Sequence, residues 1–426
     1  MNTSLRSDRR GLILGGGALA ISMLLPGPLL ADIDTSDLRK ITSDAVPISR
    51  SEREGRLERA RRLMREHEID AILIEPGASL VYFTGIEWWR SERLTAALLF
   101  QKGEPVIVTP FFEEPSVRET LAIPADVRVW QEDEDPIALI AATLKERGLS
   151  SGTVAVEETV RFFASDGLSK RAPGTRIVSA NPVVRGCRMI KTPAEIALMT
   201  KATEVTIAAY RWVWPRIKTG MTPHEIGALM DAATVKLGGT PEFSLVLLGE
   251  ASAYPHGSHK PQTVREGEVI LMDCGCTVEG YQSDVSRTFV LGKAPSEVRA
   301  IWDTVHEGQQ IAFDSAQVRL PAGRVDDAVR AFYEKRGFGP RYRLPGLSHR
   351  TGHGIGLDGH EPVNLVHNET TALAPGMCFS NEPGLYLPGK FGVRLEDCFH
   401  MTTNGPAWFS NPPMSLEQPI GTVVPK

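Results

Sequence analysis

Two aspartates in one short stretch give the first sign of chemistry. Residues 269–291 read VILMDCGCTVEGYQSDVSRTFVL. An apolar run leads to Glu279-Gly280, where glycine is free to take a positive φ, and a second strand-like run starts at Arg287. A hairpin centred on that turn sets Gly275 opposite Asp284. Asp273, two residues before Gly275, then shares a face with Asp284, roughly 7–8 Å away between Cα atoms. Two carboxylates that close on a buried face repel, so one takes a proton or a divalent cation lies between them. The plain alternative is a solvated hairpin with two surface aspartates, and the apolar residues around them weigh against it.

Three later stretches add donors. HRTGHGIGLDGHE (349–361) carries His349, His353 and His360 among four glycines. So many glycines disfavour a helix and let backbone and imidazole come close to whatever is held nearby. In NEPGLY (381–386), Pro383 keeps Glu382 out of a helix. In GVRLEDC (392–398), Arg394 and Glu396 alternate onto one face of a strand. Taken singly, a histidine is usually a satisfied core or surface residue and a glutamate a solvated one. The weight lies in Asp273, Asp284, His353, Glu382 and Glu396 occurring in this order and in these settings.

The elements that must position them follow from local pattern. Pro193 to Val213 is helical and ends or kinks at Pro215. Thr222-Pro223-His224-Glu225 is a capping box with proline at the first helical position, and that helix stops at Gly238-Gly239. Ser296 caps another helix, and Arg324 to Arg336 forms a fourth, ended by Gly337. Strands lie near 377–380 and 393–401. This half is α+β, with helices covering one face of a curved, mostly antiparallel sheet.

Upstream, a helix over 51–68 and strands at 71–74, 96–100, 105–108 and 153–156 alternate with helices at 136–147 and from Arg161. They make a smaller α/β domain ending near Val184. Tyr82 to Gly85 reads as the start of a loop that runs into Trp88-Trp89-Arg90, where adjacent aromatics serve either packing or binding.

The expected division is an export signal at 1–31, a linker at 32–50, an N-terminal domain at 51–184, a catalytic domain at 185–410 and a tail at 411–426. Arg9-Arg10 stands before an apolar stretch too short for an ordinary membrane span. It reads as a twin-arginine signal, which implies a periplasmic protein that meets the membrane only during export. A Sec-type signal or an uncleaved anchor is the alternative. The 426 residues suit two or three domains, and a net charge of −5 gives no reason to expect nucleic acid. Five scattered cysteines are no disulfide framework. Cys274 and Cys276 face away from Asp273, as buried strand residues do.

These motifs resemble those of the metal-dependent Xaa-Pro peptidases, prolidase and aminopeptidase P, in the pita-bread superfamily of methionine aminopeptidase and creatinase. The likeness covers most of the chain beyond the signal. It implies a pita-bread catalytic domain behind a creatinase/prolidase-like N-terminal domain. It also implies a two-metal centre held by Asp273, Asp284, His353, Glu382 and Glu396. Asp284 and Glu396 would bridge, Asp273 would complete one metal, and His353 with Glu382 the other. Four carboxylates balance two divalent cations. One imidazole among oxygens suits manganese first, with cobalt, iron(II) or zinc as alternatives. Two such metals acidify a bridging water to a nucleophilic hydroxide and polarise the scissile carbonyl, with Glu382 passing the proton to the leaving nitrogen.

By the same resemblance, His256, His349 and His360 hold the substrate and stabilise the oxyanion. Arg394 helps recognise the Xaa-Pro substrate, although its fork equally suits an ion pair that only orients Glu396 or Asp397. A homodimer is implied in which Trp88, Trp89 and Arg90 of one subunit reach the partner's active site. The expected reaction is hydrolysis of the Xaa-Pro bond of dipeptides or short peptides. Aminopeptidase action on longer peptides, a non-peptide amide or amidine hydrolase of the ectoine-hydrolase kind, and a binding protein without catalysis are the alternatives.

Overall fold

The computed structural model describes residues 33–423, so the expected signal at 1–31 lies outside the described residues. Among the described residues, no helix is long and apolar enough to cross a membrane.

The N-terminal domain runs α1 (Arg50–Glu66), β1 (Ala71–Ile74), α2 (Ala78–Thr84), β2 (Ala96–Phe100), β3 (Val106–Pro110), α3 (Glu114–Thr120), β4 (Asp126–Trp130), α4 (Pro136–Glu146), β5 (Thr153–Val156), α5 (Phe162–Arg171), β6 (Arg176–Ser179) and α6 (Asn181–Arg188). Its strands form one mixed sheet in the order β4-β3-β2-β1-β5-β6. β1, β2 and β3 are buried at every position, because apolar clusters pack on both faces. That is why they read as unbroken apolar runs rather than alternating ones. The stretch read as a loop from Tyr82 is instead the end of α2, closed by Gly85 at φ 82°. Seven residues are too few for a helical period to register in the sequence.

The catalytic domain opens with α7 (Pro193–Val213) and α8 (Pro223–Leu237). Each starts with a closed capping box, Thr192 with Glu195 and Thr222 with Glu225, and with proline in the first turn. There follow β7 (Thr240–Leu248), β8 (Val269–Val278), β9 (Tyr281–Gln282), β10 (Val285–Val290), α9 (Ser296–Ser315), α10 (Gly323–Lys335), β11 (Gly352–Gly354), β12 (Glu361–Leu365), β13 (Cys378–Asn381), β14 (Leu385–Leu387), β15 (Phe391–Val393), β16 (Asp397–Thr402), β17 (Gly405–Trp408), β18 (Ser410–Asn411) and β19 (Thr422–Val423). Ser296 is the first residue of α9 rather than its cap. Pro295 holds the cap position and offers no side-chain hydrogen bond.

Two antiparallel sheets carry this domain, β10-β8-β7 with β9 on β8, and β12-β11-β13-β16-β17. The first shares its core with α7 and α8, the second with α9 and α10. The site lies between the two halves.

Two segments expected to be loose are fastened down. Residues 33–49 form neither helix nor strand, yet Ile33, Leu38 and Ile41 pack on the core of the first half. Asp37 accepts from Trp212 Nε1 at 2.9 Å, and Ile41 N donates to Leu237 O. At the other end β18 pairs with β19, and Ile420 O accepts from the buried Arg287 Nε at 3.0 Å.

Candidate metal centre

β8 and β10 pair with Ser286 opposite Asp273 and Val285 opposite Cys274, so Gly275 and Asp284 meet on the next rung. This is the register read from the turn. A Cβ on Gly275 would stand 2.3 Å from Ser283 O and 2.5 Å from the Phe243 ring, so only glycine lets the strands close here. Tyr210 of α7 sets its hydroxyl 3.0 Å from Met272 O and 2.8 Å from Val285 O, pinning both strands beside the aspartates. Cys274 and Cys276 are buried on the other face.

The second sheet supplies the rest. His353 stands in β11 opposite Asn364 of β12. Glu382 follows β13 directly. Arg394 and Glu396 lie in the break between β15 and β16, outside any named strand, and still share one side. Glu396 N donates to Ser286 O at 3.1 Å, which stitches the two halves together.

The ligand atoms of Asp284, His353 and Glu396 lie within 4.8 Å of one another, all buried. His353 Nε2 is 3.3 Å from Glu382 Oε1 and 3.7 Å from Asp284 Oδ2. Asp273 joins through Ser286, whose Oγ is 2.9 Å from Asp273 Oδ1 and 2.7 Å from Glu396 Oε2. All five side chains line one cavity of about 790 Å³ with His256, His349, His360, Arg350 and Arg394.

The cluster is electrically unfinished. Among the described residues, Asp284 Oδ1 and Glu396 Oε1 are buried without a hydrogen-bond partner. Burial, and then the Asp273 charge, pushes the Asp284 carboxyl well above its ordinary range. Burial, and then Asp284, does the same to Glu396. Burial brings the Glu382 carboxyl up to about 7, against the pull of Arg394. His353 Nδ1 lies 3.0 Å from Gly354 O. A carbonyl only accepts, so Nδ1 carries the proton and Nε2 presents its lone pair to the carboxylates. Crowded carboxylates with unpartnered oxygens, beside an imidazole nitrogen held ready, are a donor set that fits divalent cations.

Two expected substrate contacts are spoken for. Arg394 uses every nitrogen inside the protein: Nη2 to Asp273 Oδ2 at 2.6 Å, Nε to Ser286 Oγ at 2.8 Å, and Nη1 to Pro255 O at 3.2 Å and Tyr386 Oη at 3.3 Å. Its closest carboxylate is that of Asp273, with Glu396 Oε2 4.0 Å from Nε, and four of its five hydrogens are already engaged. His349 Nδ1 donates to Arg350 O at 2.8 Å, so Nε2 accepts from Tyr386 Oη at 2.7 Å. Burial, then Arg394, lowers the His349 imidazole to about 3 and keeps it neutral. With both nitrogens engaged, His349 orients its neighbours instead of donating to an oxyanion.

Tyr386 was missed in the sequence, where NEPGLY drew attention only to Glu382. His256 and His360 face the cavity as expected, with His360 edge-on to His353 at 4.1 Å between ring centres. Trp88 and Trp89 stack on each other at 4.4 Å, Trp89 is 51% exposed, and neither lines the cavity of its own chain.

Comparison with known proteins agrees with this construction. Residues 197–403 match the model of metallopeptidase family M24, and residues 56–190 match the creatinase/prolidase N-terminal domain. The chain is 30% identical to an Xaa-Pro dipeptidase of Lactobacillus helveticus, over 85% of this chain and 98% of that one. Among solved structures it is similar to dipeptidase PepE from Mycobacterium ulcerans, with a TM-score of 0.80, 31% identity, and 87% and 98% of the two chains covered. It is also similar to a prolidase from Thermococcus sibiricus, with a TM-score of 0.77, 27% identity, and 84% and 96% covered. With that family match, that N-terminal domain and this donor set, the chain belongs to metallopeptidase family M24 and is a metal-dependent hydrolase of the pita-bread fold.

Proposed function

We propose that this protein is an exported Xaa-Pro dipeptidase working with two divalent metal ions, manganese first among them. One observation carries the reading: four carboxylates and one imidazole from both halves of the domain converge, and two of the carboxylate oxygens have no partner among the described residues. Asp273, Asp284, His353, Glu382 and Glu396 would hold the metals. When bound, such ions polarise a scissile carbonyl and acidify water.

The chain's own residues do the remaining work. Glu382 takes a proton from water and returns it to the leaving nitrogen. His360 and His256 stand at the cavity wall to hold the substrate and meet the developing oxyanion. Tyr386 holds His349 in place, and Arg394 holds Asp273. The bond to proline lacks an N–H and constrains the chain, which calls for a dedicated site. The names of the similar proteins, Xaa-Pro dipeptidase and prolidase, support this substrate class.

Export rests on the Arg9-Arg10 segment, and the periplasm is the compartment it implies. A homodimer is proposed in which the exposed Trp89, stacked on the half-buried Trp88, approaches the partner's cavity. Changing Trp88 and Trp89 to alanine should then lower the rate without loss of metal, and an unchanged rate would remove that role.

The main test measures metal content of the reconstituted protein and its hydrolysis of Ala-Pro, Ala-Pro-Xaa and a dipeptide without proline. Two metals per chain and selective cleavage of Ala-Pro are expected. Protein that binds no metal, or cleaves the proline-free control equally well, overturns the reading.

A further inference from the structure

Two permanently cationic side chains line the catalytic cavity among the described residues, Arg394 and Arg350. They are in opposite states. Arg394 is buried and committed on all three nitrogens. Arg350 is half-buried, with Nη1 donating to Asn364 Oδ1 at 3.0 Å. No carboxylate pairs with it among the described residues. Asn364 stands opposite the ligand-type His353 on the β11–β12 ladder, so this hydrogen bond braces the guanidinium on a rigid element. Arg350 lines the cavity, and among the described residues its guanidinium makes no other hydrogen bond. Its charge is felt by Glu382, His353 and His360, the residues around the reacting bond.

Resting on the dipeptidase reading above, we propose that Arg350 anchors the substrate's C-terminal carboxylate and so restricts the site to peptides ending one residue past the scissile bond. One residue spans at most about 3.3–3.6 Å. A dipeptide therefore carries its carboxylate only that far beyond the cleaved carbonyl, and a cation beside the ligands is where it must be met. A planar fork with free donors suits a carboxylate in two-point contact. A longer or amidated peptide would bring a neutral amide to Arg350 and leave the cation unpaired, which a site built for charge rejects. The carboxylate-binding role expected of Arg394 thus passes to Arg350, because Asp273 already occupies Arg394.

The test uses the metal-loaded full chain, with kcat and KM measured for Ala-Pro, Ala-Pro amide and Ala-Pro-Ala. The wild type should prefer Ala-Pro by about tenfold to a hundredfold in kcat/KM. Arg350→Met should lose most of that factor on Ala-Pro, chiefly through KM, and the ratio between Ala-Pro and its amide should fall towards one. Arg350→Lys, which keeps charge without the fork, should be intermediate. Asn364→Ala, which releases the brace, should show a smaller change of the same sign and keeps the test open should Arg350→Met fold poorly. Equal loss on all three substrates, or a wild type indifferent to amidation, overturns the inference while the peptidase reading stands. A wild type that cleaves no Ala-Pro removes both.

Discussion

Glu396 and Asp397 are neighbours in the chain and equally buried, yet their circumstances are opposite. Asp397 takes both Nη atoms of Arg287 at 2.7 and 3.1 Å, Ser410 Oγ at 2.7 Å and Gln309 Nε2 at 3.1 Å. Arg287 also donates to the backbone oxygens of Ile420, Ser286 and Glu396. Every charge in that cluster is answered within the protein. Glu396 shares one Ser286 hydroxyl at Oε2 and, among the described residues, has nothing at Oε1. A completed buried pair belongs to the scaffold, whereas an incomplete one must be completed from outside. Burial and residue type do not distinguish the two. The tally of partners does.

Removing the Glu396 charge tests this contrast most severely. Glu396→Gln should cut Ala-Pro hydrolysis to about a thousandth or less and lower the metal bound per chain. The metal-free protein should melt at a higher temperature near neutral pH, because a carboxyl held well above its ordinary range costs stability there that a neutral amide does not. A variant with full metal content and rate would erase the distinction.

Asp397→Ala should do the reverse and strand Arg287, lowering the unfolding free energy in denaturant titrations by about 3–5 kcal/mol. A change under about 1 kcal/mol would mean the pair contributes little to the scaffold.

A third buried cluster, in which the Glu361 carboxylate is fully answered, joins the two domains. Glu361 accepts from Arg188 Nη2 at 2.6 Å, Lys191 Nζ at 2.9 Å and Leu357 N at 3.0 Å. Burial alone would raise its carboxyl, but Arg188 and Lys191 outweigh burial and bring it from 4.5 down to about 2. A depressed carboxyl contributes stability above its unfolded value and loses it as pH falls towards the folded value. Wild-type stability should therefore drop on the order of 3 kcal/mol between about pH 4.5 and 2 from this group. Glu361→Gln should flatten that part of the acid profile, and an identical profile would refute the coupling.

The smallest effect sharpens the border between the two kinds of cluster. Ser286 has one proton for two carboxylates, so Ser286→Ala should weaken metal binding by about 10–100-fold, read by calorimetric titration. Ser286→Thr should restore it, and unchanged affinity would show that the hydroxyl only fills space.

Much of this was legible beforehand where the cause is local. The two capping boxes, the Gly238 stop and the register that sets Gly275 against Asp284 depend on residues a few positions apart. The short α2 left no period to read. The hold on residues 33–49 depends on Trp212 and Leu237, nearly two hundred positions away, and no local pattern announces it.

The order of residue types along the chain determined which side chains could bind metal, the hairpin that pairs two of them and the family they resemble. Short-range sterics and hydrogen bonding suffice for that. Tertiary structure alone decided who partners whom: Arg394 with Asp273 across 121 positions, Tyr386 with His349 across 37, Arg350 with Asn364 across 14. A guanidinium or an imidazole has the same chemistry in any sequence. Its job is set by which hydrogens and lone pairs remain unspent once distant segments have packed.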